Sequence, residues 1–559
     1  LPLTAFDLIW LKGGTVERVF FYRLPHSTAY FCASVLPHLK SSLSLALQQF
    51  YPLAGKIRRS PELDDDKYEI RYVDGDSVSF TVAEYDADFD EVSGDHARGV
   101  GPLLPLLPQL PRSDDDSVSV LALQVTVFPN QGVAVGVAVH HAGCDGSSSM
   151  RFMFSWASTC AGPRSSAAVV ATPPVFDRSL VSAPSAGGVL RELRRRLLRR
   201  SEGRRTPTRK WGRLGCESYW QSHRKIRRRS FTRCRDMAGE NHVYRASTTI
   251  KRGGITQVSG VRSGFWMGKA EEGQEPCLWR RAETKMVGWR SGWAWPSEWR
   301  CTTPDAMARA PCGSCSRGLP HARGREARRR RSWCRPSSTG VWFPCFGQRA
   351  DCIIHEDPPV DMVIASFALK KDHIRRLKEL VSAKAGAMEG GGASLRCSTI
   401  MATYAYVWVC LVKARAYESD RTAHFLFAAD CRGRLRPPLP AAYFGNCIGV
   451  CFVEAKAGDL LRENGVVSAA KAIGKAIEEF ADDPLRGAET WPERIKSIVP
   501  RQPLSVAGSP RFRVYDLDFG WGGPKKVVIT SIMRSGAMSM AESREEEGGV
   551  EIGLVLPKH

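Results

Sequence analysis

Residues 137–150 read VAVHHAGCDGSSSM, so His141 stands four residues before an aspartate, Asp145, that is followed by Gly146. Histidine is the side chain whose unperturbed pKa lies near neutrality, so it can take a proton from a substrate group at ordinary pH. Asp145 could orient such a base or cap a turn or helix. A zinc site is disfavoured, because adjacent histidines on a strand diverge and no glutamate follows at helical spacing. A Ser-His-Asp hydrolase acting through Ser147 lacks the GxSxG elbow. For these residues taken alone, the stronger reading is a histidine satisfied in a core and Asp145 as a cap.

The elements that must position them are legible around the motif. GVAVGVAVHH reads as a strand, and its period of two points His140 and His141 to opposite faces, so at most one serves a given site. SSSMRFMFSWASTC reads as the helix that follows. Upstream, VLPHLKSSLSLALQQF reads as a helix ending before Pro52, and YEIRYV, SVSFTVAEY and SVSVLALQVTVF as strands. The second half restarts at DMVIASFAL, a strand, with Asp372 as N-cap of a helix over HIRRLKELV. TIMATYAYVWVCLVKARA reads as a buried helix, HFLFAADC as a strand, and residues 466–480 as an amphipathic helix. RFRVYDLDFGWG and KVVITSIM read as closing strands. Strands and helices mix in both halves, which predicts two α/β domains.

Charge separates these halves. The 559-residue chain carries a net +22, which would suggest an anionic partner. Residues 191–350, however, hold 38 Lys and Arg against 12 Asp and Glu, so the rest of the chain is slightly acidic. Residues 191–352 also contain 10 of the 15 tryptophans and 9 of the 17 cysteines, with no sustained period. A nucleic-acid-binding insert is physically open to such a composition. Cys312 and Cys315 have one metal-like spacing but no second paired half. The preferred reading is that the segment is disordered, or is translated intron or out-of-frame sequence. No run approaches about 18 apolar residues, the remaining cysteines show no disulfide framework, and a reducing, cytoplasmic setting is expected. The chain opens at Leu1 and stops at His559, so either end can be incomplete.

Three motifs in order then change the weighing: FYPLAG at residues 50–55, HxxxDG at 141–146 and DFGWG at 518–522. With LPLTAFDLIWL, PPVFDRSLV and EIGLVL, they resemble the BAHD family of plant acyl-CoA-dependent acyltransferases. YFGNC at 443–447 resembles the branch that acylates anthocyanin, flavonoid and phenolic glucosides. The 377 positions from His141 to Asp518 exceed the family's usual spacing, and the excess falls in the basic segment.

The resemblance implies an α/β, chloramphenicol acetyltransferase-like fold of two domains with mixed sheets. These would be residues 1–190 and 353–559, interrupted by 191–352. It implies a malonyl or hydroxycinnamoyl donor on CoA as co-substrate, no bound cofactor or metal, small-molecule partners, no nucleic acid or membrane partner, and a monomer. His141 would be the base, and Asp145 an orienting residue paired with Arg432 or Arg434. Asp518 would be mainly structural, with an acid-base role sometimes assigned to it. Gly520 and Gly522 would permit the torsions of a tight loop, and Cys144 would fill the loop. Ser398, Thr399, Tyr443, Asn446 and Trp521 would lie at the pocket or CoA channel. Alternatives are an N-acyltransferase acting on agmatine or another amine, a condensation domain of a peptide synthetase, or an inactive relative with a nucleic-acid-binding insert.

Overall fold

The computed structural model describes residues 1–12, 14–24, 26–60, 68–162, 172–182, 184–202, 243–251, 254–260, 362–388 and 396–558. Most of the basic segment therefore lies outside the described residues.

In chain order the first half contributes α1 (Ala5–Leu8), β1 (Thr15–Arg23), α2 (Leu36–Gln49), β2 (Ser77–Tyr85), β3 (Leu121–Phe128), β4 (Gly132–His140) and α3 (Gly146–Ala161). Then come α4 (Pro184–Glu202), β5 (Val243–Lys251) and β6 (Gly254–Gly260). The second half supplies β7 (Met362–Leu369), α5 (Lys371–Met388), α6 (Thr399–Ala414), β8 (Thr422–Asp430), β9 (Ile448–Lys456) and α7 (Gly465–Asp482). It closes with α8 (Trp491–Ile498), β10 (Leu504–Ala507), β11 (Lys526–Ile529), β12 (Met538–Glu542) and β13 (Val550–Pro557).

One sheet runs β6-β5-β2-β3-β4-β1-β11, and a second runs β9-β8-β10-β12-β13-β7 with residues 98–99 at its edge. Each half thus lends a strand to the other's sheet: β11 pairs with β1, and Arg98 and Gly99 pair with β7. Pairing is mixed, parallel for β2 with β3 and for β10 with both neighbours, antiparallel elsewhere.

The run VFFY in β1 is apolar on both faces because both are covered. Phe20 and Tyr22 join the core under α2 and α3, whereas Val19 and Phe21 join one shared with β7 and β11. The helices α5, α6 and α7 cover the second sheet in a third core. Among the described residues no helix is long and apolar enough to cross a membrane.

Two local expectations change. Asp372 lies inside the first turn of α5 rather than at its N-cap, since α5 already begins at Lys371. Residues 510–516 form two 3-10 turns instead of a strand, because Pro510 opens one and Arg513 turns left-handed at φ 51° between them. The expected domain boundary at 190 falls within α4, whose Leu190 and Leu193 are buried although the helix is crowded with arginines. The strands β5 and β6 also lie in the segment read as having no period; β5 pairs along the whole of β2.

Candidate active site

The strand β4 is buried along its whole length and ends at His140. His140 is 7% exposed, and its Nδ1 accepts the Ala142 N–H at 3.2 Å. Burial pushes its pKa down to about 4, helped by His141 and Arg112, which keeps it neutral. His141 follows in the turn and is held at three points. Its N–H donates to Gly14 O at 3.2 Å, its carbonyl accepts from Asn446 Nδ2 at 2.9 Å, and its ring stacks on Trp10 with centroids 4.0 Å apart and planes 7° apart. An indole face against the imidazole fixes the tilt of the ring. Burial lowers the His141 pKa below its usual 6.5, opposed by its own main-chain carbonyl, Asp145, the Asn446 side chain and Asp7.

Asp145 is 1% exposed and its carboxylate sits in a closed set of donors. Its Oδ1 accepts the Ser148 N–H at 2.9 Å and so caps α3. Its Oδ2 meets Arg432 Nη2 at 2.8 Å and accepts the Cys447 N–H at 3.1 Å. Of the two arginines the sequence leaves open, Arg432 is therefore the partner. Arg434 instead donates to Asp430 O at 2.8 Å and lies over Phe480. Arg432 also donates to Ser148 Oγ, Gly445 O and Tyr443 O. With both oxygens engaged, Asp145 holds the loop. The Cys144 thiol is buried and its pKa pushed up, chiefly by burial, which keeps it protonated.

Residues 443–447 hold the loop from the second half. Asn446 is fully buried, and its Nδ2 donates to Asp7 Oδ1 at 2.9 Å as well as to His141 O. The two hydrogens of that amide are thereby used, which leaves none for an oxyanion. Tyr443 is 1% exposed, and its hydroxyl accepts from Arg178 Nη1 at 2.7 Å. Sequence reading set both residues at the acyl-CoA channel; the structure packs them into the wall behind the histidine. Asp7 is itself organised by Thr4 in a capping box at α1. Asp7, Trp10 and Arg178 are missed by sequence reasoning, and only the TAFD spacing of the capping box gives a signal for one of them.

Gly445 shows how tightly this wall is built. A Cβ there would fall 1.6 Å from Arg178 Nη1 and 2.7 Å from its Cζ. Gly445→Ala must push Arg178 off Tyr443 and Asp7, and is expected to destabilise the protein by about 3 kcal/mol or more; urea unfolding of the variant beside the parent measures it.

The DFGWG loop sits elsewhere. Asp518 Oδ1 accepts the N–H groups of Gly520, Trp521 and Gly522 at 2.7, 2.8 and 2.8 Å. Gly520 and Gly522 take φ of +95° and +86° to make that turn, torsions other residues resist. Phe519 packs edge-on against Trp156 and Trp521 edge-on against Tyr22 and Phe31, while Phe519 and Trp521 stack on each other. Gly520 lies against Ala161, the last residue of α3, whereas Asp145 caps its first turn. Sixteen helical residues separate these ends, about 24 Å at 1.5 Å each. The structure therefore does not bring Asp518 or Trp521 to His141, and Asp518 Oδ1 is taken up in closing its own loop. Ser398 caps α6 by accepting the Met401 N–H at 3.2 Å, and Thr399 is that helix's first residue. Gly146 lies under the Phe512 ring.

Among the described residues no group of three or more His, Cys, Asp or Glu is placed to hold a metal ion. Comparison with known proteins adds to this geometry. The model of the family described as the Transferase family matches residues 1–212 and 335–559. Phenolic glucoside malonyltransferase 2 of Arabidopsis thaliana is 32% identical, over 100% of this chain and 91% of its own. Phenolic glucoside malonyltransferase 1 of the same plant is 30% identical over 100% and 90%. The crystal structure of vinorine synthase aligns with a TM-score of 0.55 at 18% identity, over 100% of this chain and 90% of that one. The fold is the chloramphenicol acetyltransferase-like α/β arrangement. This chain belongs to the Transferase family, the BAHD acyltransferases, whose chemistry is acyl transfer from an acyl-CoA co-substrate.

Proposed function

We propose that the chain is an O-acyltransferase moving a malonyl or hydroxycinnamoyl group from CoA to a sugar hydroxyl of an anthocyanin, flavonoid or phenolic glucoside. His141 is its general base. The observation that carries this reading is the division of labour in the loop: Asp145 is saturated by Arg432, Cys447 and Ser148, which leaves His141 as the group free to move a proton. The malonyltransferases of phenolic glucosides, similar along the whole chain, support the substrate class.

The acceptor hydroxyl gives its proton to the imidazole as its oxygen bonds to the thioester carbonyl carbon. The tetrahedral intermediate collapses by breaking the C–S bond, and the imidazolium returns the proton to the CoA thiolate. No acyl-enzyme is required, because the thioester is already activated. Nδ1 of His141 is buried without a hydrogen-bonding partner of good geometry, so Nε2 is the nitrogen assigned to the acceptor.

The test is release of CoA thiol from malonyl-CoA or coumaroyl-CoA in the presence of phenolic glucosides, with agmatine and other amines as competing acceptors. Turnover of amines alone would replace this reading by N-acylation. The pH profile follows from burial. His141 stays neutral to below its usual pKa of 6.5, so kcat/KM is expected to hold level at neutrality and to fall as pH drops below 6.5. An acidic limb centred above 6.5 contradicts the assignment.

A further inference from the structure

Of the buried polar atoms that have no hydrogen-bonding partner of good geometry among the described residues, two belong to side chains already tied to one another: His141 Nδ1 and Asn446 Oδ1. The amide nitrogen of Asn446 donates to the His141 carbonyl at 2.9 Å. Nδ1 is the ring nitrogen nearer the main chain, so an amide bound to that carbonyl is within reach of it. The two side chains interact, and the interaction favours the imidazolium. Only the amide oxygen has that effect, because an N–H aimed at the ring would repel a second proton.

The orientation of the amide follows from its other partner. Asp7 Oδ2 accepts from the main-chain N–H and the hydroxyl of Thr4 at 2.9 and 2.8 Å. Its Oδ1 accepts the main-chain N–H of Asn446 at 3.2 Å and Nδ2 at 2.9 Å. Turning the amide over would set Oδ1 against a carboxylate oxygen and a carbonyl oxygen, two contacts between acceptors. Asp7 therefore fixes which way Asn446 points. Oδ1 is then a buried acceptor in need of a donor, and Nδ1–H of His141 is the donor at hand. The other tautomer, with the proton on Nε2, would leave Nδ1 and Oδ1 as two buried acceptors facing each other. Trp10 does not relieve them. Its ring lies 7° from the imidazole plane with centroids 4.0 Å apart, so the in-plane Nε1–H is not aimed at a ring nitrogen. The His141 carbonyl is the competing acceptor for Nδ1–H, but it already receives Nδ2 of Asn446.

We propose that Asn446 is the positioning residue of His141: its amide oxygen receives Nδ1–H and so fixes the tautomer whose Nε2 lone pair meets the acceptor hydroxyl. This rests on the reading of His141 as the general base. Asn446 touches no reacting atom and acts through the ring alone. When Nε2 takes the acceptor's proton, the bond at Nδ1 becomes one from a charged donor and strengthens. The ring is thereby tied, through Asn446 and Asp7, to the capping box that opens α1.

Two measurements on the full chain test it. Nitrogen NMR of protein isotope-labelled at histidine reads the tautomer, with the His141 signals identified by their loss in His141→Gln. The neutral ring of the unsubstituted protein should carry its proton on Nδ1. A proton on Nε2 overturns the proposal, whether or not any variant folds. Asn446→Leu is close in shape and removes the amide. It should lower kcat by about 10- to 100-fold, the effect of losing a hydrogen bond to a charged group, and leave acyl-CoA affinity in calorimetry close to the parent's. Asp145 and Asp7 are the charged groups that act on the ring, and His140 beside it stays neutral. With those in place, loss of the amide oxygen lowers the His141 pKa, so the acidic limb of kcat/KM should move to lower pH. A wall that was merely loosened would admit water and move that limb up, toward the ordinary histidine value. An unchanged kcat, or a limb that stays or rises, overturns the proposal. The tautomer is read without substrate, so full turnover in His141→Ala would remove the histidine from the mechanism and leave the hold on its ring standing.

Discussion

His141→Ala lowers kcat by about 10² to 10⁴-fold, the range that a positioned general base contributes, while leaving acyl-CoA affinity close to that of the parent. The reason lies in the replaced ring's neighbours. Trp10 stacks on one face, and the main chain is fixed through Gly14 and Asn446. The stack on Trp10 goes with the imidazole, but the two main-chain bonds hold residue 141 whether or not the ring is present, so the backbone of the loop should survive the substitution. Single-turnover acyl transfer with a saturating glucoside acceptor reads the chemical step, and calorimetric titration with the donor reads binding. A variant that keeps full kcat would remove His141 from the mechanism. His140→Ala is the informative companion: that residue is buried on the other face and neutral, so its loss should appear in stability before it appears in the chemical step.

Arg432→Met should cost about 3–5 kcal/mol of folding stability, because it strands Asp145 as an unpaired charge at 1% exposure. It also removes donors from Ser148 Oγ and from the carbonyls of Tyr443 and Gly445. Asp145→Ala should lose a similar amount, with the helix cap at Ser148 lost as well. The double variant should lose less than the two together, since Arg432→Met leaves Asp145 without its counter-charge and Asp145→Ala leaves the buried Arg432 with only Asp430, 3.2 Å away. Urea unfolding of the four proteins supplies the cycle. Additive losses would mean that the pair is not coupled.

What the sequence makes legible here is local. The alternating run of β4, the apolar spacing of α3 and α7 and the glycines of the DFGWG turn each reflect contacts within a few residues, where a periodic pattern has direct physical meaning. The misreading of residues 510–516 has the same origin: R-F-R-V-Y-D alternates like a strand, and nothing nearby reveals that Arg513 will turn left-handed. The wall of the site is different. Asn446 reaches Asp7 across 439 positions, and Arg178 reaches Tyr443 across 265. No period encodes such pairs, and Arg432 and Arg434 are equal candidates until the fold buries one and exposes the other. Asp518 lies within a motif that invites a chemical role, but its carboxylate is used to close its own loop.

The clamp on the HxxxD loop also has a timing. Cys447, whose N–H holds Asp145, is made 302 residues after it. At about 5–20 residues per second of translation, a nascent chain waits about 15–60 s with Asp7 and Asp145 lacking their downstream partners. Throughout that interval the first half carries its HxxxD motif and cannot yet hold it in shape. Assembly of the site is therefore an event of late synthesis, and a ribosome that stops before residue 447 leaves a product with the motif but without its grip.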